Sequence, residues 1–144
     1  FSGIEQKKQN PNSYPETRAF ADAIEVPLVQ NRQGHYLVGG KINSEKVTFL
    51  LDTGATDVVV PESTARDLGL GFGRKGVAIT ANGRVVIHET SIDRLEIGEI
   101  TLVDVKASIN PGMPRGAILL GMSALSKIEF TQTGKTLTLR QRFL

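Results

Sequence analysis

The residues best placed to do chemistry are Asp52-Thr53-Gly54-Ala55, which follow the apolar run Phe49-Leu50-Leu51. An ionisable side chain directly after three apolar strand residues is costly unless it has a task, because a carboxylate leaving water must be compensated. Thr53 adds a hydroxyl that can hydrogen-bond locally, and Gly54, lacking a Cβ, lets a second backbone approach closely. The segment presents a carboxylate, a group that takes up and returns protons, on a tight turn at the end of a buried strand. Taken alone, the tripeptide reads equally well as a strand-ending turn capped by Asp. Its surroundings decide.

Other chemistries lack their parts. The chain has no Cys, which excludes disulfides, zinc-thiolate sites and thiol nucleophiles. His35 and His88 are the only histidines, and neither sits at a metal-ligand spacing from other donors, so no metal or other cofactor is expected. No Gly-x-Ser-x-Gly elbow is present for a serine hydrolase. Gly69, Gly71 and Gly73 are not followed by the Lys-Ser or Lys-Thr of a phosphate loop. The net charge of +2 comes from Lys and Arg scattered along the chain, which reads as a solvated surface and not a nucleic-acid footprint. No apolar run approaches the length of a membrane-spanning helix.

A length of 144 residues, with 40% hydrophobic and 22% charged residues, suits one globular domain with a core of its own. Residues 1–23 are polar and aperiodic and read as a mobile arm or linker, leaving 24–144 as the folded domain. Strands are expected at Ile24–Val29, His35–Ile42 and Val47–Leu51, with a turn at Asn43-Ser44-Glu45. Gly39-Gly40 inside the second strand suggests a bulge or a close backbone approach. After the apolar Val58-Val59-Val60, Pro61 opens a short helix to Leu68, with Gly69 just past its end. Val77–Thr80 and Arg84–His88 form a hairpin turning at Asn82-Gly83. Ser91–Leu95 and Thr101–Ile109 flank a turn at Gly98-Glu99, and Ala117–Leu120 is a buried strand ending at Gly121. Met122, Leu125 and Ile128 recur every three residues, which places a short helix on the core. Strands at Glu129–Thr131 and Thr136–Leu139 close the chain, and Arg140-Gln141-Arg142 reads as a solvated tail. The tally of about nine strands and two short helices is an all-β domain, a small closed or sandwiched barrel.

Three of these elements occur in an order that resembles the retropepsin-like aspartic peptidases, specifically the bacterial single-domain members. They are the loop Leu50–Ala55, the hairpin Thr80-Ala81-Asn82-Gly83-Arg84 with Asn82 thirty residues after Asp52, and Ile118-Leu119-Leu120-Gly121 followed by a helix. The resemblance spans roughly Tyr36 to Leu139. It implies the closed β-barrel-like retropepsin (acid protease) fold with one or two short helices, active as a symmetric homodimer. It also implies an endopeptidase with Asp52 as the catalytic carboxylate and no cofactor or metal. Two carboxylates a few ångströms apart share one proton and so supply both the base that activates water and the acid that protonates the substrate. The chain holds a single Asp-Thr-Gly, so the second carboxylate must come from another copy.

Further roles follow from the same resemblance. The Thr53 hydroxyl ties the two active loops together, and the Gly54 carbonyl contacts the substrate backbone. Asp57, Ala81, Asn82 and Gly83 join Gly54 in binding substrate, the last three as part of a flap. Leu120-Gly121 packs beneath the catalytic loop, and Thr136–Leu139 is a candidate interface element. The resemblance further implies a place at the cell envelope, on the periplasmic side, with a membrane tether preceding a trimmed or mature chain that begins at Phe1 and not Met. The alternative reading is a catalytically inactive dimerisation or peptide-binding module on the same fold. Two departures bear on it. Thr56 stands where retroviral members have Asp, and Met122 where they have Arg, which calls into question the ion pairing that braces those dimers.

Ala55 is a third departure, for some relatives carry Ser or Thr there, able to hydrogen-bond the catalytic carboxylate. The missing hydroxyl removes one stabiliser of the ionised form, so the activity optimum is expected at less acidic pH than in the Ser or Thr type. A cleavage-rate profile peaking at roughly pH 2 to 3 would refute this.

Overall fold

The computed structural model describes residues 10–80 and 83–143. In chain order the strands and helices are β1 (Arg18–Ala19), β2 (Ala23–Val29), β3 (Leu37–Ile42), β4 (Glu45–Leu51), β5 (Val58–Pro61) and α1 (Glu62–Asp67). They continue with β6 (Lys75–Thr80), β7 (Gly83–Ile97), β8 (Ile100–Asn110), β9 (Ile118–Leu120), α2 (Met122–Leu125), β10 (Glu129–Thr133) and β11 (Thr136–Arg142). The class is all-β as expected, with eleven strands among the described residues where the sequence suggested about nine.

One sheet runs β3-β4-β9-β5-β8-β7-β6, and an extra pairing of β3 with β7 closes six of these strands into a ring. Closure removes free edges, so only β6 hangs outside the barrel. Its interior is filled by alternating side chains: Val38 and Ile42 from β3, Phe49 from β4, Ile92 and Leu95 from β7, and Val105, Ala107 and Ile109 from β8 are all fully buried. A second sheet, β1-β2-β11-β10, packs Val26, Leu28 and Leu139 into the same core.

Local chemistry accounts for the turns. Asn43 and Ser44 both have positive φ (49° and 74°), the requirement of a tight two-residue hairpin between β3 and β4. The Asn43 side chain then accepts the Arg94 N–H at 3.0 Å and fixes this corner against β7. The Gly39-Gly40 pair resolves as close approach: a Cβ on Gly39 would run into the Ser13 carbonyl, and one on Gly40 into Glu96 and the Phe49 ring.

Three expectations change. Arg84–His88 and Ser91–Leu95 are one continuous strand, β7, of 15 residues. It pairs with β6 up to His88 and with β8 from His88 onward, so the polar Glu89-Thr90-Ser91 marks a change of partner and not a break. Arg140-Gln141-Arg142 is part of β11, not a tail. The Arg140 guanidinium reaches Glu25 and Asp22, with Glu129 at 3.6 Å. Its hydrogen bond to Glu25, reinforced by the fields of these three carboxylates, raises its pKa further above the ordinary range.

The third change concerns the segment before β2. Residues 10–23 read as an aperiodic arm, yet Asn12 is 6% exposed. Its amide donates to the Val29 and Leu37 carbonyls at 2.9 and 2.8 Å and accepts the Val29 N–H at 2.8 Å. Its own carbonyl accepts Gly39 N–H at 2.9 Å. A polar side chain that pairs with two strands at once needs no hydrophobic period to be ordered, so pattern reading passes over it. Among the described residues no helix is long and apolar enough to cross a membrane.

Asn12→Ala would leave two carbonyls and an N–H of β2 and β3 without partners. The expected loss is about 2–3 kcal/mol of unfolding free energy. Urea titration should show this as a lower midpoint with an unchanged slope.

Candidate active site

The Asp52 loop hangs between two strands that are far apart in the sequence. β4 delivers it and β5 receives it, while β9 is threaded between them, parallel to β4 through Phe49 opposite Ile118 and antiparallel to β5 at Val59 opposite Leu119. The backbone that follows β9 then serves the loop. Asp52 N–H donates to the Leu120 carbonyl at 3.1 Å, Met122 N–H to the Ala55 carbonyl and Ser123 N–H to the Thr56 carbonyl, both at 2.8 Å. Gly121 lies so close under the loop that a Cβ would collide with the Ala55 and Asp57 carbonyls. The expectation that Leu120-Gly121 underlies the loop agrees with this packing, and the Gly is required by space and not by its φ.

Within the loop the Asp52 carboxylate accepts the Gly54 N–H at 2.9 Å, and Ala55 N–H closes back on the Asp52 carbonyl at 3.1 Å. This is an Asx-type turn that fixes where the carboxylate points. Asp52 and Ala55 are half-buried and Thr53 and Gly54 exposed, so the Thr53-Gly54 edge of the loop faces outward. Asp57, half-buried, lies on the same loop and begins the turn into β5. Among the described residues, Gly54 N–H is the one donor that reaches the Asp52 carboxylate, and Ala55 adds none.

A cavity of about 280 Å³ opens beside the loop, bounded by Tyr36, Leu51, Thr53, Phe130, Gln132 and Leu137. It touches Thr53 but not Asp52, so it flanks the carboxylate and does not enclose it. Its wall is largely apolar, and the Tyr36 hydroxyl, buried near it, has no hydrogen-bond partner among the described residues.

The hairpin of β6 and β7 pairs down to Thr80 opposite Gly83, and the Thr80 hydroxyl donates to the Gly83 carbonyl at 2.9 Å. Ala81 and Asn82 lie outside the described residues. Val77, Ile79 and Val86 project from one face of this hairpin, 61%, 84% and 52% exposed. That is an apolar surface on a hairpin outside the barrel, suited to contact with something beyond the chain itself. The hairpin is linked to the loop through neighbouring strands: β7 pairs with β8, and β8 with β5. His88 packs edge-on to Phe72 at 5.3 Å between ring centres. Among the described residues no three His, Asp or Glu gather as a metal site.

Sequence reading missed Ser123. Its hydroxyl accepts the Val58 N–H at 2.9 Å and donates to the Lys106 carbonyl at 2.7 Å, joining α2 to the first residue of β5 and to β8. A Ser two places after a glycine that ends a buried strand was the available signal, since such hydroxyls satisfy nearby backbone groups.

A family profile described as "gag-polyprotein putative aspartyl protease" matches residues 38–127. The chain is 30% identical over 111 residues to an uncharacterized protein in the cobV 5' region of Sinorhizobium sp, covering 75% of this chain and 48% of that protein. It is 26% identical over 116 residues to an uncharacterized protein of Rickettsia prowazekii (strain Madrid E), covering 78% and 49%. The chain thus spans about half the length of these curated relatives. Among solved structures, a retropepsin-like aspartic protease from Rickettsia conorii superposes with a TM-score of 0.67 at 25% identity, covering 89% of this chain and 95% of that one. EIAV protease complexed with the inhibitor HBY-793 gives a TM-score of 0.56 at 20% identity, covering 69% and 92%, a likeness of fold.

Ser123→Ala would unpair Val58 N–H and the Lys106 carbonyl at the loop's exit. A loss of about 1–2 kcal/mol is expected, read as a lower denaturation midpoint. Ser123→Thr, which keeps the hydroxyl, should recover part of it.

Proposed function

We propose that this chain, which belongs to the gag-polyprotein aspartyl protease family and has the retropepsin fold, is an aspartic endopeptidase that works as a homodimer with Asp52 as its catalytic carboxylate. The observation that carries the reading is the Asp52 loop. Its carboxylate is oriented by the Gly54 N–H, while the loop's backbone is held from below by Leu120, Met122 and Ser123. Such a base keeps a reacting group within a fraction of an ångström of its working position, which is what catalysis by proximity demands.

One carboxylate cannot serve as base and acid at the same instant. In the proposed dimer two copies of Asp52 meet across a two-fold axis and hold one proton between them, because two like charges at short range do not both ionise. The ionised member takes a proton from a water, which attacks the peptide carbonyl. The protonated member gives its proton to the carbonyl oxygen, and the amine later leaves with a proton returned from the pair. The titration belongs to the pair, so activity rises and falls around the two macroscopic steps.

The remaining roles are assigned on the same footing. The exposed Thr53 hydroxyl joins the two loops, and the Gly54 carbonyl and Asp57 meet the extended substrate. Ala81, Asn82 and Gly83 close over it, with Val77, Ile79 and Val86 available to apolar surfaces. Main-chain pairing between substrate and flanking strands would supply affinity, as in other strand-addition modes. The catalytic domain takes in β1 and Asn12 as well as the strands from Ala23 onward, since both pair with it. The relatives' greater length leaves the whole protein's substrates open to further segments.

The test is cleavage of a mixed peptide library from about pH 3 to 7, a window spanning the carboxylate range. Wild type and Asp52→Asn are compared where sedimentation shows both dimeric. Asn keeps the shape and removes the shared proton, so cleavage should fall by at least about 10³-fold. Two dimers that both fail to cut would favour the inactive binding module instead.

A further inference from the structure

We propose that the outward face of the β6–β7 hairpin is a docking surface for an anionic lipid bilayer, which it enters with Val77, Ile79 and Val86. This goes beyond the peptidase reading and does not depend on it.

In a two-stranded ribbon, the side chains of directly opposed residues stand on one face. The register sets Lys75 opposite His88, Val77 opposite Val86 and Ile79 opposite Arg84, so these six share a face. Gly76, Ala78, Thr80, Val85 and Ile87 alternate with them onto the other face, and all five are half-buried. The sheltered face is therefore the one with the smaller residues. The open face carries three branched aliphatic side chains, 61%, 84% and 52% exposed at Val77, Ile79 and Val86. Leaving that much apolar area in water is unfavourable, and a contiguous patch of this kind marks a contact surface.

The charges around the patch decide what it contacts. Lys75 and Arg84 stand at opposite ends of the stripe, both exposed. Among the described residues, neither has a carboxylate within ion-pair distance. At the base, Phe72 meets the His88 ring at 5.3 Å, and the Arg66 guanidinium lies 4.8 Å from the Phe72 ring centre. Glu62, 3.8 Å from Arg66, offsets part of that third charge. The six residues of the face itself include no Asp or Glu. An aliphatic centre between unpaired cations matches the layering of an anionic membrane surface. The aliphatics reach the acyl chains, while the long Lys and Arg stems turn their charges back to the phosphates.

A folded protein partner fits less well. Three aliphatic side chains fall far short of the roughly 800 Å² per partner that a stable protein interface needs. A bilayer requires no matching surface, because its apolar layer yields to whatever shape enters. β6 lies outside the closed ring, so the ribbon carrying the stripe is not walled in by further strands.

The test is co-sedimentation of the whole chain with sucrose-loaded vesicles, either phosphatidylcholine alone or with about 30% phosphatidylserine. Partitioning onto the anionic set should exceed that onto the neutral set by at least about 10-fold, and should fall as salt is raised. Ile79→Asp should lower it by at least about 10-fold, and Lys75→Glu combined with Arg84→Glu by a similar factor. Val103→Asp, at an exposed valine of β8, should leave it unchanged. Because Ile79 is so exposed, the urea midpoint of Ile79→Asp should match wild type, which separates lost docking from lost folding. The chain has no Cys, so Ile79→Cys and Val103→Cys each supply a sole thiol for an environment-sensitive dye. On anionic vesicles the dye at 79 should shift to the blue and the dye at 103 should not.

The proposal is overturned if wild type stays in solution with anionic vesicles, if Ile79→Asp binds as well as wild type, or if both dyes shift alike. Loss on charge reversal with none for Ile79→Asp would reduce the effect to adsorption by net charge, and would also overturn it. Retention on immobilised polyglutamate without vesicle binding would assign the face to an acidic protein instead. Asp52→Asn should bind vesicles as wild type does, so the docking surface and the peptidase reading stand or fall separately.

Discussion

The structure depends on one constraint: β9 must lie between β4 and β5. Three residues, Ile118–Leu120, complete a barrel whose neighbouring strands are some sixty residues away along the chain. Their insertion buries Ile118 and Leu120, closes the ring and places four consecutive residues under the Asp52 loop. A loop carrying a half-buried carboxylate would otherwise be the least stable part of such a domain. Here it is tied by backbone hydrogen bonds, which do not depend on side-chain identity, and by a glycine with no room for anything larger. The rigidity of the candidate site is thus a by-product of barrel closure.

Closure also sets the division of labour between the two sheets. The barrel uses up its own edges apart from β6, so free strand edges are confined to that hairpin and to the second sheet. In the second sheet, Arg140 and Arg142 bind Glu25 of β2, Asp22 just before it and Glu129 of β10. Exposed ion pairs contribute little singly, and this cluster is better viewed as fixing register between β2, β11 and β10. A fixed register holds Phe130 and Gln132 over the cavity beside Thr53.

Much of this was legible in the sequence where one residue type has one physical use. Asn43-Ser44, Gly98-Glu99 and the glycines at 39, 40 and 121 marked turns or close approaches, and apolar alternation marked most strands. Asp52 stood out because a carboxylate after Phe49-Leu50-Leu51 is costly without a purpose. What stayed hidden was set by distant partners. Asn12 looks like any linker residue until β2 and β3 offer it three backbone groups. Ser123 is an ordinary helix residue until Val58 and Lys106 arrive. Arg140-Gln141-Arg142 has the composition of a solvated tail, and it is a strand because its backbone pairs with β2 while the acids at 22, 25 and 129 take up its charges. The length of β7 was hidden for a related reason: its polar middle changes partners and continues straight on.

The pairing of Ala23 with Arg142, continued by Phe143 N–H on the Asp22 carbonyl at 3.0 Å, sets the two ends of the folded unit side by side. Antiparallel strands gripped at the same end open like a zipper, each hydrogen bond bearing the load in turn, whereas strands pulled lengthwise share it. Tension applied across this pair of ends, once the Asn12 clamp yields, peels β11 from β2 one bond at a time. The six-stranded barrel, with no free seam to start from, resists until that sheet is gone. Mechanically, the molecule is a soft latch on a stiff box, and a pulling machine would strip away β11, and with it the hold on β10, before it disturbed the loop that carries Asp52.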